Sequence, residues 1–156
     1  MEIRKITPDD LPGVISLMRS FAEFEDLGDY CEITEERLND AVFGNGAFVE
    51  AAVADEGGNL AGYAIFYPHF ASFRGQKGFY LEDIFVEAGQ RGRGIGILLL
   101  KFIAKAGDER GFERIDFQVL DWNTAAIDFY KKLGADRDDS ERHFKFTDAA
   151  FKLLAT

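Results

Sequence analysis

Residues 79–96 read FYLEDIFVEAGQRGRGIG, and residues 97–105 continue as ILLLKFIAK. The first eight residues form an apolar run of strand length, the glycines that follow break it, and the last segment carries apolar residues at helical spacing. A buried strand, a glycine-rich turn and an amphipathic helix are therefore expected in that order. Gly92, Gly94 and Gly96 alternate with larger residues, so the backbone there is free to take positive φ and to approach a ligand without an intervening Cβ. The helix that starts at this turn offers unpaired N–H groups and the positive end of its macrodipole, which suit phosphate or pyrophosphate. Arg91 and Arg93 add charge of the same sign, and Ile95 and Ile97 complete the candidate phosphate loop.

Other glycine loops fail on their own mechanics. No Lys-Ser or Lys-Thr follows Gly96, so the residues that hold the β- and γ-phosphates and magnesium in a Walker loop are missing. A dinucleotide fingerprint needs its third glycine where Leu99 or Ile97 stands. What remains is R-x-x-G-x-G at Arg91, Gly94 and Gly96, directly after a strand. A second motif, N-x-x-A-x-x-F-Y-x-x-x-G-A, runs from Asn123 through Ala126, Phe129, Tyr130 and Gly134 to Ala135. Together, in this order, the two motifs resemble the GNAT superfamily of acetyl-CoA-dependent N-acetyltransferases, in which the first loop binds the pyrophosphate of coenzyme A.

The composition sets outer bounds. At 156 residues the chain has the length of one domain, and 47% apolar residues with sixteen Phe are globular rather than disordered in character. No run approaches a membrane span, and the N-terminus lacks the apolar core of a secretion signal; with the single cysteine, Cys31, this leads us to expect a cytoplasmic protein that does not engage membranes. His69 and His143 are too isolated in sequence to suggest a metal site. A net charge of -10 argues against nucleic acid and favours a cationic partner, although a carboxylate surplus also serves solubility.

Read from the N-terminus, Ile3–Ile6 is a short strand and Thr7-Pro-Asp-Asp opens a helix that runs to about Phe24. An acidic, aromatic loop covers residues 23–32, and Thr34 caps a second helix that stops at Gly44. Residues 47–54 and 60–67 flank a turn as a hairpin, with Pro68 ending its second strand and residues 69–78 forming a loop. In residues 79–86 strict alternation places Tyr80, Glu82, Ile84 and Val86 on one face and Leu81, Asp83 and Phe85 on the other, so Glu82 and Asp83 point oppositely. A carboxyl group in such an apolar strand is costly; desolvation readies it for proton transfer unless a partner compensates it. Glu82 is the candidate for that role, whereas for Asp83 a structural role is equally open. Ile115, Phe117 and Val119 alternate as a fifth strand, Asn123 and Gly134 cap the motif helix, and residues 143–147 (HFKFT) read as one more strand before a short helix to Leu154.

The resemblance covers nearly the whole chain as one domain, residues 1–156, and implies an α/β (α+β) fold: a central mixed, mostly antiparallel sheet of about six to seven strands flanked by helices. YLEDIFV, RGRGIG and DWNTAAIDFYKKLGA look most like the diamine (polyamine) acetyltransferases and their thialysine-acetylating relatives. By that likeness, acetyl-CoA reacts directly with an amine in a ternary complex. Backbone groups of Ile84, Phe85 and Val86 hold the thioester, the loop Arg91–Ile97 with Asn123 and Ala126 binds the cofactor, Glu82 acts as base through water, and Tyr130 protonates the leaving thiolate. Phe24, Glu25, Glu82, Asp83, Asp116 and Gln118 correspond to residues that bind a small cationic amine, no metal is required, and the similar enzymes are homodimers. Polyamine-acetylating members tend to carry Trp-Arg before the last strand where this chain has Ser140-Glu141-Arg142, so a lysine analogue with sulfur or oxygen in its side chain is an equally open acceptor. Acetylation of a protein N-terminus or lysine, and a non-catalytic acyl-CoA-binding module, are the alternatives.

Overall fold

The computed structural model describes all of residues 1–156. It contains two compact units, Met1–Gln118 and Val119–Thr156. The first begins with β1 (Glu2–Lys5), α1 (Leu11–Phe24) and α2 (Glu35–Phe43) and continues through β2 (Glu50–Glu56), β3 (Asn59–Ala71), β4 (Gln76–Val86), α3 (Ile95–Asp108) and β5 (Arg114–Asp116). The second carries α4 (Thr124–Lys132) and α5 (Asp148–Leu154).

The five strands lie in the order β1-β2-β3-β4-β5, the first four antiparallel and β5 parallel to β4. Both faces of the sheet are covered, which is why its central strands are apolar on both sides. One face packs Val14, Ile15 and Leu17 of α1 and Leu38 of α2 on Val53, Tyr63, Ile65 and Phe85. The other packs Ile95, Leu99 and Ile103 of α3 on Ala52, Ala54, Ala64, Phe66, Phe79 and Leu81. Leu99 and Ile103 are wholly buried, each contributing on the order of 2 kcal/mol. The alanines of β2 and β3 let α3 lie close, and Gly107 continues this at its far end, where a Cβ would come within 3.4 Å of the Phe79 ring.

Polar groups fix the N-terminal corner. Thr7 donates to Asp10 Oδ2 from its amide at 2.7 Å and its hydroxyl at 2.8 Å, and Arg4 forks onto the same carboxylate at 2.7 and 2.8 Å while also reaching Asp55 at 2.9 Å. One guanidinium thus ties β1 to the start of α1 and to the β2–β3 hairpin. It also holds the Asp10 carboxyl down at about 2, chiefly through the hydrogen bond.

The structure corrects several expectations. The sheet has five strands rather than six to seven: residues 137–147 form no strand, and β5 stops at Asp116 instead of running to Val119. Alternation in HFKFT suffices for a strand only where an edge takes it up, and Phe144 and Phe146 remain exposed. Pro68 does not end β3. β2 pairs with β3 only as far as Phe66, so past that residue β3 is an edge and the missing N–H of Pro68 breaks no ladder. The expected loop over residues 69–78 accordingly shrinks to a tight turn at residues 72–75, closed by Gly75 at φ 62°.

The largest correction concerns β4. Its register against β3 slips between Ile65 and Phe66, with Ile65 opposite Asp83 and Phe66 opposite Leu81, so that Glu82 is the extra residue of a β-bulge. Leu81 belongs to the α3 face and Phe85 to the α1 face, which strict alternation forbids. Glu82 and Asp83 therefore do not point oppositely; both reach tyrosines on the α1 side.

Candidate active site

β3 presents Tyr63 and Tyr67, four residues apart, on the face that carries α1. The Tyr67 hydroxyl donates to Glu82 Oε2 at 3.3 Å and the Tyr63 hydroxyl to Asp83 Oδ2 at 3.0 Å. The two carboxylates live in different environments. Glu82 is exposed, whereas Asp83 is half-buried and sits over the wholly buried Tyr63. Burial is the main cause that pushes the Asp83 carboxyl up to about 6; Tyr63 opposes the shift, and the charges of Glu82 and Glu25 reinforce it. The desolvated carboxyl expected at Glu82 is thus found one residue later. Burial also raises Glu25, just past the end of α1, and raises the phenols of Tyr63 and Tyr67, the latter to about 12.

Further along the same face, Tyr67 stacks on Tyr80 with ring centroids 5.4 Å apart, and His69 meets Tyr80 edge-on at 6.0 Å. Tyr80 pairs with Asp116 of β5, whose carboxylate accepts from Arg114 at 2.6 and 2.7 Å and lies 3.4 Å from His69 Nε2. Arg114 is the main cause holding Asp116 low. Phe48 closes the other side of the trough, edge-on to Tyr67 at 6.4 Å. Tyr63, Tyr67, His69 and Tyr80 were not singled out from sequence; the available signal was spacing, since Tyr63, Tyr67 and His69 are separated by even numbers of residues and so share one face of one strand.

Beyond Tyr80, β5 no longer pairs with β4, so the edge of β4 from Glu82 to Val86 has no strand beside it. At the end of that edge the turn is built as the sequence implied. Gly92 and Gly94 take φ 78° and 77°, Gly94 caps α3, Ile95 is buried beneath it, and Gly96 and Ile97 form the first helical turn. Cβ atoms at Gly92 or Gly94 would project into open space, leaving the backbone bare for a ligand. The two arginines are held from the sides. Arg91 donates to the Val86 carbonyl at 3.1 Å and lies over the rings of Phe24 and Phe85, at 4.7 and 5.5 Å. Arg93 forks onto Glu56 at 2.6 and 3.0 Å and also bonds Gln90. Phe24 thereby joins the end of α1 to the loop. Gln118, the last residue of the first unit, lies beyond β5.

In the second unit, Asn123 caps α4 by accepting from the amide of Ala126 at 3.2 Å. Tyr130, packed edge-on against Phe129 at 5.2 Å, lies in the last turn, which closes through Gly134 at φ 92° and a bond from the Ala135 amide to the Tyr130 carbonyl at 3.1 Å. Burial pushes its phenol up to about 12, so the hydroxyl stays protonated across the physiological range.

A mixed sheet whose fourth strand is bulged, unpaired with the fifth beyond Tyr80 and followed by a bare-backbone loop at a helix N-terminus is a setting that suits an anionic ligand, and comparison with known proteins names the family. Residues 14–135 match the model of the acetyltransferase (GNAT) family, and the chain belongs to that family. It is 34% identical over 165 residues to the thialysine N-epsilon-acetyltransferase of Sus scrofa, covering 98% of this chain and 96% of that one. A 76-residue stretch, 49% of this chain and 33% of the other, is 43% identical to the L-ornithine N5-acetyltransferase of Arabidopsis thaliana. An integron cassette protein from the mobile metagenome of V. cholerae superimposes with a TM-score of 0.81 at 24% identity, over 99% of this chain and 96% of that one. The chain is an enzyme, an acetyl-CoA-dependent N-acetyltransferase that transfers an acetyl group to an amine. No helix is long and apolar enough to cross a membrane.

Proposed function

We propose that this enzyme acetylates the primary amine of a small aliphatic substrate, polyamine or thialysine-like, by direct attack on acetyl-CoA in a ternary complex. The observation that carries the reading is the bulge at Glu82, which sets an exposed carboxylate and a desolvated one side by side on the face bearing the tyrosine trough. An alkylamine is protonated near neutral pH and attacks only after losing a proton. Glu82, exposed and oriented by Tyr67, takes that proton through water, while Asp83 and Glu25 supply the negative potential that draws the ammonium in. The relatives named for thialysine and ornithine acetylation both act on side-chain amines, which supports this class of acceptor.

Acetyl-CoA is the co-substrate. The backbone of Arg91–Ile97 receives its pyrophosphate, Asn123 and Ala126 are cofactor-binding residues by the family likeness, and the free edge of Ile84, Phe85 and Val86 offers amides to the thioester carbonyl, an arrangement that stabilises charge on that oxygen as the amine adds. The amine nitrogen forms a bond to the acetyl carbon, the carbon–sulfur bond breaks, and Tyr130 passes its hydroxyl proton to the departing sulfur. Phe24, Asp116 and Gln118 stand on the acceptor side. The enzyme works in the cytoplasm as a single-domain protein and as a homodimer, binding neither nucleic acid nor membrane.

The experiment is steady-state release of CoA with a panel of free amines and an N-terminal peptide, for the wild type and Tyr130→Phe. Turnover of a free amine, with kcat lowered about 100-fold or more by the substitution and KM for acetyl-CoA little changed, is the expected result. Tight acetyl-CoA binding without acetylation of any amine, or turnover of the peptide alone, would overturn it.

A further inference from the structure

The loop that joins β4 to α3 carries glycine at 92, 94 and 96, and glycine loses more backbone freedom on ordering than any other residue, so a loop of this composition has to be held from outside. Its stem is held by backbone: the Glu87 amide donates to the Ala61 carbonyl at 3.0 Å, and the Gln90 amide to the Glu87 carbonyl at 2.8 Å. At its other end the Leu98 amide donates to the Gly94 carbonyl at 3.1 Å, closing the first turn of α3 and leaving the amides before it as the unpaired set of a helix N-terminus. Between stem and helix, the side chains of Arg91 and Arg93 flank Gly92, and they reach different elements.

Arg91 goes to the end of β4 and to α1, through the Val86 carbonyl and the rings of Phe85 and Phe24. Arg93 goes to the β2–β3 hairpin, where Nη2 and Nη1 donate to the two oxygens of Glu56 at 2.6 and 3.0 Å and Nη1 donates also to Gln90 of the stem. The anchor is itself fixed. Glu56 is the last residue of β2 and pairs with Asn59 across a turn of Gly57 and Gly58 at φ 66° and 94°. Its neighbour Asp55 accepts from the Gly58 amide at 2.8 Å and from Arg4 at 2.9 Å. Arg93 is the main cause holding the Glu56 carboxyl low, so the pair stays ionised at neutral pH.

We propose that Glu56 is a positioning residue for the cofactor: its fork on Arg93 holds the glycine loop in the form that receives the pyrophosphate, and Arg93 serves as a tether rather than as a phosphate ligand. The inference rests on the reading above that this loop receives acetyl-CoA, and deepens it. A phosphate that drew Arg93 to itself would have to break the two bonds to Glu56 and the one to Gln90, and would leave the Glu56 carboxylate unpaired beside a polyanion. The bare amides of the loop and of the first turn of α3 bind the same anion at no such cost. Apparent affinity scales with the fraction of molecules whose loop is already in the receiving form, and the tether raises that fraction.

The test is calorimetric titration of the full chain with CoA, together with backbone amide order parameters from nuclear magnetic relaxation of the ligand-free protein, for the wild type, Glu56→Gln, Arg93→Gln and the double variant. Glu56→Gln keeps the side chain's volume and removes its charge. Its Kd for CoA should rise about three- to fivefold, the upper range for an exposed ion pair, and KM for acetyl-CoA should rise by the same factor with kcat unchanged. The order parameters of Gly92, Arg93 and Gly94 should fall from about 0.85 towards about 0.6. Arg93→Gln should do the same, and the double variant should bind no more weakly than either single one, because both changes cut one tether. Were Arg93 a phosphate ligand, Glu56→Gln would free it and Kd would fall; a lower or unchanged Kd, or a higher Kd with the loop as rigid as in the wild type, would overturn the tether and leave the cofactor reading standing. A wild type that does not bind CoA would remove both.

Discussion

Asp83→Asn should make this enzyme more stable at neutral pH while damaging its amine site. The Asp83 carboxyl rises from an ordinary 3.8 to about 6, so the folded chain holds this proton more tightly than the unfolded one does. Below pH 3.8 the group is protonated in both states and costs nothing. As pH rises from there to about 6, the unfolded chain ionises first, and stability falls until the folded group ionises as well. The shift of about two pH units corresponds to about 3 kcal/mol, an upper bound on what the ionised carboxylate costs above pH 6. Asparagine keeps an oxygen for the Tyr63 hydroxyl at 3.0 Å and loses only the charge, so the substitution removes the cost without opening a cavity. Urea unfolding of both proteins at several pH values reads this directly. The gain should be near zero below pH 4, grow through pH 4 to 6 and level off at up to about 3 kcal/mol above that. An equal gain at every pH would show that the charge is not its source, and a loss at pH 8 would show that Asp83 is compensated by a partner stronger than Tyr63. With kcat/KM for the amine falling in the same variant, the carboxylate would be a group retained for function at the expense of stability.

Asp10 should behave in the opposite sense. Its carboxyl is held at about 2 by Arg4, so it contributes about 2 kcal/mol that is fully present above pH 3.8 and lost as pH falls through 2; Asp10→Asn should cost that amount at pH 7 and only a few tenths of a kcal/mol at pH 2, measured by the same urea series. Gly94→Ala places a Cβ at φ 77°, at a strain of ~1–2 kcal/mol, and into the open space above the loop; KM for acetyl-CoA should rise severalfold, and an unchanged KM would show that the cofactor does not approach this backbone.

How much of this was legible in the sequence differs by kind of feature. Caps, breakers and helical stripes are local, and they placed α1, α2 and α3: Thr34 accepts from the Arg37 amide as a cap should, and Ile95, Leu99 and Ile103 are the buried stripe. The loop at Gly92–Gly96 was equally local, since positive φ at Gly92 and Gly94 follows from glycine being placed where a strand meets a helix. Strand pairing is not local. Pro68 reads as a breaker in isolation and is harmless because β2 has already ended, and HFKFT reads as a strand but finds no edge.

The same distinction decides the chemistry. Whether Glu82 and Asp83 oppose or adjoin one another depends on a single register slip in β4 against β3, and no residue of β4 announces it. Strict alternation would have buried one carboxylate on each face, beneath α1 and α3, at the cost of two unpaired charges in two cores. The bulge gathers both on the α1 side, where Tyr63 and Tyr67 each give one hydroxyl, and it turns Leu81 and Phe85 to opposite cores so that both remain filled. The irregularity is thus the means by which one strand supplies two hydrophobic cores and still brings two acids to one site.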